Sequence, residues 1–147
     1  MLQPAIEILD AHRMMTIATV RPDGWPQATI VGYANHGWDV YFAIFRSSQK
    51  FGNIAHNDRV AIAIGREPGS LGEIKAVYAG AHAAEVTDAD ERRMAWRLLV
   101  ERHPNLADFG PPDPADEALM RARCKHVSVV DYSKGIGHTE ALTVPDA

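Results

Sequence analysis

Apolar residues recur along this chain at two periods, and the switch between them outlines the fold. Pro4 is followed by Ala5, Ile6 and Leu9 at helical spacing, which predicts a short amphipathic helix over residues 4–13. Residues 15–20 are an apolar, β-branched run, and Arg21-Pro22-Asp23-Gly24 places Pro, Asp and Gly where turn chemistry prefers them. A second strand is expected over residues 26–33. Asn35-His36-Gly37 is a second turn signal, and residues 38–45 read as a third strand rich in aromatic and β-branched side chains. The first 45 residues thus read as a meander preceded by a helix that covers one end of it.

The period then changes. Ser47 and Ser48 offer a helix N-cap, and Phe51, Ile54 and Ala55 recur at helical spacing until Asn57-Asp58 ends the segment. Residues 59–65 return to strand, residues 68–72 read as loop, and residues 74–86 form a long strand. The small residues Ala79, Gly80, Ala81 and Ala83 suit a tight bend there. Asp88 and Glu91 have capping-box spacing, and the helix they open carries Met94, Ala95, Leu98 and Leu99 on one side up to Pro104. Pro111, Pro112 and Pro114 break it. A further short helix is expected over residues 115–123, then a strand over 126–132 and a glycine-bearing tail. Five or six short antiparallel strands with inserted helices argue for a small closed barrel rather than βαβ units, and closure removes exposed edges. No internal repeat interrupts a single domain over residues 1–147.

Length and composition agree: 147 residues, 46% hydrophobic and 23% charged, suffice for one well-buried core without disulfide or metal support. Cys124 is the single cysteine, which excludes an intrachain disulfide and a multi-cysteine metal site and suits a reducing compartment. With no long apolar run and no basic-then-apolar N-terminus, the expectation is a soluble, cytoplasmic protein that engages no membrane. The net charge of -4 and the lack of a Lys/Arg cluster remove the footprint of a nucleic-acid binder. The charge is uneven, however. Residues 1–65 balance Arg13, Arg21, Arg46, Lys50 and Arg59 against Glu7, Asp10, Asp23, Asp39 and Asp58, so an anion is expected to bind in the first half.

The richest stretch for chemistry runs from Phe45 to Ile54. It joins a strand end to a helix start with Arg46, Ser47, Ser48 and Lys50. Helix-start amides, hydroxyl donors and a cation together hold phosphate. The same residues also read as an N-cap beside two solvated cations. Gly135-Ile136-Gly137 lacks the third glycine and the following length of a dinucleotide fingerprint. The seven histidines show no ligand spacing, and no hydrolase or P-loop motif appears. Trp25, Trp38 and Trp96 read first as packing residues.

Met15-Thr16-Ile17-Ala18-Thr19-Val20, Asp23-Gly24-Trp25-Pro26, Val40-Tyr41-Phe42-Ala43, Ser48-Gln49-Lys50 and Asn53 to Val60 resemble, in order and spacing, the blocks of the pyridoxamine 5'-phosphate oxidase-like flavoproteins. Tyr78-Ala79-Gly80-Ala81 resembles the family's next strand, and the C-terminal third matches more loosely. The resemblance implies a mainly β, α+β fold: a six-stranded antiparallel split barrel that binds FMN at the interface of a homodimer. It implies that Thr29, Ile30 and Val31 on strand two and Ala43 and Ile44 on strand three lie against the isoalloxazine ring. Arg46, Ser47, Ser48, Gln49 and Lys50 would surround the phosphate. Where the oxidase has cations, this chain has Thr29, Ala34 and Gln49, and its C-terminal substrate-binding Arg-His segment is missing, which argues against pyridoxamine phosphate as substrate. The leading expectation is an FMN-dependent oxidoreductase for a small molecule, with NAD(P)H as the donor and no catalytic side chain required. The alternatives are a deazaflavin-dependent reductase and a non-enzymatic flavin- or haem-binding, stress-related protein.

Overall fold

The computed structural model describes residues 2–146. Helix α1 (Leu2–Ala11) precedes the strands β1 (Met14–Val20), β2 (Pro26–Gly32), β3 (Ala34–His36) and β4 (Asp39–Phe45). Helix α2 (Gln49–His56) leads to β5 (Arg59–Gly65) and β6 (Lys75–Glu85), then come α3 (Ala89–Arg102), β7 (Glu117–Asp131) and β8 (Thr139–Thr143). All strands belong to one antiparallel sheet in the order β2-β1-β5-β6-β7-β4-β3, with β8 paired to the far half of β7. The sheet curls until β2 nears β4, leaving a barrel split along that seam. Among the described residues, no helix is long and apolar enough to cross a membrane.

Side-chain alternation divides the sheet into two faces. Met15, Ile17, Phe42, Ile44, Ile62 and Val77 point inward and form the main core, which α1 closes with Ala5, Ile8 and Leu9. On the other side of β4 and β7, Ala95 and Leu99 of α3 pack against Tyr41 and Leu119. Arg102 locks α3 in place by donating to Leu9 O, His12 O and the buried Asn35 Oδ1 at 3.2, 3.4 and 2.6 Å. Gly24 and Gly37 turn the two N-terminal hairpins at φ +89° and +60°, backbone that L side chains rarely adopt.

Two expectations are corrected. Residues 115–123 are not a helix, because β7 runs unbroken through Glu117–Asp131. Ala118 and Met120 face the barrel while Leu119 faces α3, so both sides of the strand are buried and its period of two is erased. What remains, Ala-Leu-Met-Arg, has high helix propensity that tertiary pairing overrides. The sheet also holds eight strands rather than six. The expected turn at Asn35-His36-Gly37 holds the short strand β3, which pairs with β4 where the third strand is expected, and the glycine-bearing tail returns as β8 beside β7.

Candidate functional site

The strand-to-helix junction is built by Ser48. Its Oγ caps α2 by accepting from Phe51 N at 3.3 Å, and its hydroxyl donates to Phe45 O at 2.7 Å. A helix start leaves the amides of Gln49 and Lys50 without intrahelical acceptors. Ser47 is exposed beside them. Lys50 is half-buried and forms no ion pair among the described residues. Arg46 is placed differently. Its Nη1 and Nη2 donate to Glu85 Oε1 and Oε2 at 2.8 and 2.6 Å, and its Nε donates to Pro114 O at 2.7 Å. The Arg46 hydrogen bonds hold the Glu85 carboxyl below its ordinary value, against the opposing effect of burial.

Gln49, exposed, lies along the helix and donates to Asn53 Oδ1 at 2.8 Å. Asn53 is fully buried, and its Nδ2 donates to Thr19 Oγ1 at 3.0 Å and to Gln27 Oε1 at 3.3 Å. This amide chain ties the first turn of α2 to β1 and β2. The sequence reading missed Asn53; its one signal is an amide four residues after Gln49, on the same helix face.

Of the residues expected along the ring, Thr29 and Val31 face inward opposite Ile17 and Met15, whereas Ile30 points out and is 72% exposed. Ile44 is core, so only its backbone is open to a ligand, and Ala43 faces α3. The structure thus gathers β2, β4 and the α2 start along one seam but divides their side chains between two faces. Within the seam, Thr29 Oγ1 is buried and has no hydrogen-bond partner. A buried hydroxyl without a partner costs about 1–3 kcal/mol, a cost the fold carries at this position. β2 is also an outer strand of the sheet, with one backbone edge unpaired.

Buried or half-buried polar groups elsewhere support the scaffold. Tyr41 donates to Glu91 Oε2 at 2.8 Å, and Arg121 donates to both Glu91 oxygens at 2.8 Å. Burial pulls the Glu91 carboxyl up, but Arg121 and Tyr41 outweigh it and the net shift is down. The Cys124 thiol is pushed up to about 12 by burial, which makes it a packing residue rather than a nucleophile.

The outer sheet face is uncovered and small-sided. Thr16, Ala18, Ala61, Ala63, Tyr78 and Gly80 line a cavity of about 650 Å³ there, flanked by the exposed Met14 and Ile30.

A family model described as pyridoxamine 5'-phosphate oxidase matches residues 2–131. No curated protein matches the sequence. Among solved structures, a haem-binding protein from Mycobacterium smegmatis superposes with a TM-score of 0.82 at 23% identity, over 97% of this chain and 57% of that one. The chain therefore spans little more than half the length of that protein. General Stress Protein 26 from Bacillus anthracis superposes with a TM-score of 0.73 at 19% identity, over 97% and 98% of the two chains. An FAD-binding protein from Mesorhizobium loti does so at 0.69 and 19%, over 86% and 91%. At these identities the likeness is one of fold.

Proposed function

The chain belongs to the pyridoxamine 5'-phosphate oxidase family, and we propose that it binds FMN along the β2–β4 seam as a homodimer and uses it as a small-molecule oxidoreductase, with NAD(P)H as donor. The observation that carries this reading is the unengaged Lys50 at the start of α2, beside first-turn amides without intrahelical acceptors and within the sheet seam that β2 and β4 form. Lys50, Ser47 and the first-turn amides supply one charge and several donors to a phosphate. The open backbone edge of β2, which Thr29, Ile30 and Val31 belong to, supplies neutral hydrogen bonds to a polar ring edge. Arg46, clamped by Glu85, shapes the turn that presents Lys50.

When bound, FMN accepts and donates a hydride, and the protein's part is to bind, orient and shield it. The buried Asn53 chain keeps the α2 start in register with β2, so the phosphate and ring subsites hold one spacing. The outer face of β1, β5 and β6 suits a second copy packed against it, since Thr16, Ala18, Ala61, Ala63 and Gly80 let sheets approach and the exposed Met14 and Tyr78 offer apolar contact. The departures at Thr29, Ala34 and Gln49 leave fewer cations than the oxidase has, which favours a substrate other than pyridoxamine phosphate.

A second reading, a haem or flavin carrier, draws on the fold likeness to the M. smegmatis haem-binding protein. Titration of the purified chain with FMN, a deazaflavin and haem, followed by absorbance, separates the readings. FMN is expected to bind with micromolar or tighter affinity. No FMN binding, with tight binding of haem or deazaflavin, overturns the proposal. NAD(P)H-dependent bleaching of the bound flavin with turnover then distinguishes enzyme from carrier.

A further inference from the structure

On the α3 side of β4, outside the barrel, lies a second pocket of about 370 Å³. That volume is in the range of small-molecule sites. Phe45, Trp96 and Phe109 contribute aromatic walls, and Pro111 and Pro112 narrow the mouth. Two polar side chains interrupt the apolar lining, His103 and Glu117, and neither has a part in the FMN reading.

His103 is held in one orientation. Its Nε2 lies 2.9 Å from Tyr33 O, and a carbonyl only accepts, so Nε2 is a donor and in the neutral tautomer Nδ1 is the acceptor. The ring packs over Gly32, where a Cβ would stand 3.0 Å from Cε1. Glu117 is fixed through its backbone opposite Phe45, yet its carboxylate makes no hydrogen bond or ion pair among the described residues. No lysine or arginine lines the pocket. The cations around it are directed elsewhere: Arg46, next to Phe45, is clamped by Glu85, Arg102, next to His103, donates to Asn35 Oδ1, and on the rest of α3 Arg92 donates to Val86 O, Arg93 pairs with Asp90 and Arg97 reaches towards Glu101.

Aromatic walls, one unpaired carboxylate and one imidazole acceptor, with no cation, are complementary to a flat ring carrying an N–H donor. We propose that this pocket binds an aromatic amine, its ring among Phe45, Trp96 and Phe109 and its ammonium group on Glu117, with His103 as a second acceptor. A cationic amine gains from the carboxylate and from the indole face of Trp96, whereas an aromatic acid meets Glu117 with like charge. Binding at this pocket does not depend on flavin. A role as substrate site does rest on the FMN reading, because β4 supplies Ala43 and Phe45 here and Ala43 and Ile44 to the ring site.

Calorimetric titration of the flavin-free full chain with tryptamine and with indole-3-propionate tests the proposal, since the two probes match in size and differ in charge. Tryptamine is expected to bind about tenfold or more tighter, and Glu117→Gln, which keeps the shape, is expected to abolish most of that preference. Equal binding of the two probes to the parent protein overturns the proposal without any variant. A preference unchanged in Glu117→Gln overturns it as well. An FMN titration of the same sample reports separately: amine binding without FMN binding leaves the pocket standing and removes the cofactor reading, and FMN binding without amine preference does the reverse.

Discussion

Arg46 and Glu85, 39 residues apart, form a two-pronged ion pair in which both terminal guanidinium nitrogens are within 2.8 Å of a carboxylate oxygen. The pair ties the end of β4 to the end of β6 and decides which cation at the α2 junction is available to an anion. With Nε also bound to Pro114 O, three of the five N–H donors of Arg46 are engaged and its charge is paired, and Lys50 is the unengaged charge.

The pair gives a signed pH dependence. The Arg46 hydrogen bonds depress the Glu85 carboxyl below its ordinary value of 4.5, so its stabilisation is present above that pH and is lost as pH falls through the lower folded value. Urea unfolding midpoints of the parent and Glu85→Gln are expected to differ at pH 7 and to converge below about pH 4. A gap that persists or widens in acid contradicts this assignment.

Arg102 satisfies Asn35, which is 5% exposed and donates in turn to Asp10 Oδ1 and Gly37 O at 2.8 and 3.1 Å. Arg102→Ala leaves the Asn35 oxygen unpaired and removes the tie between α3 and α1. Chemical denaturation is expected to show a loss of about 1–3 kcal/mol, beyond the usual range of surface changes.

Gly32 is glycine because His103 occupies the space a side chain would need. Gly32→Ala pushes the ring from Tyr33 O or shifts β2, with an expected loss of about 1–3 kcal/mol as in other overpacked sites. A displaced His103 imidazole signal by NMR accompanies it. A variant as stable as the parent, with the signal unmoved, contradicts the close approach.

Ala63 sits at the middle of the uncovered outer face, opposite Tyr78 of β6 and Thr16 of β1. Light scattering at micromolar concentration is expected to give a dimer mass for the parent and a monomer mass for Ala63→Arg, whose charged side chain would stand in the dimer contact. A monomeric parent with FMN present removes the homodimer from the proposal.

Locally encoded features were legible in the sequence. Ser48 and Asp88 cap their helices as their spacing predicts, the latter accepting from Glu91 N at 2.9 Å, and Gly24 turns the first hairpin. The Glu91 side chain does not complete its capping box. It turns instead to Tyr41 and Arg121, partners 50 and 30 residues away. The same physics hid β7, whose alternation vanishes under α3, and hid the Glu85 clamp on Arg46. In each case a partner distant in sequence decides what the residue does. The strand-to-helix junction proposed for phosphate was visible because a strand end, hydroxyls and a cation are neighbours in the chain. The pocket of His103 and Glu117 was not, since its walls come from β2, β4, α3, β7 and the loop that follows α3.

The central claim is that Lys50 at the α2 start holds the phosphate of FMN. Fluorescence titration of FMN and of riboflavin into the parent and Lys50→Ala tests it with four dissociation constants. A lost charge-assisted hydrogen bond weakens FMN about 10- to 150-fold and leaves riboflavin, which lacks the phosphate, almost unchanged. Equal FMN affinity for parent and variant, or an equal loss for both ligands, contradicts the claim.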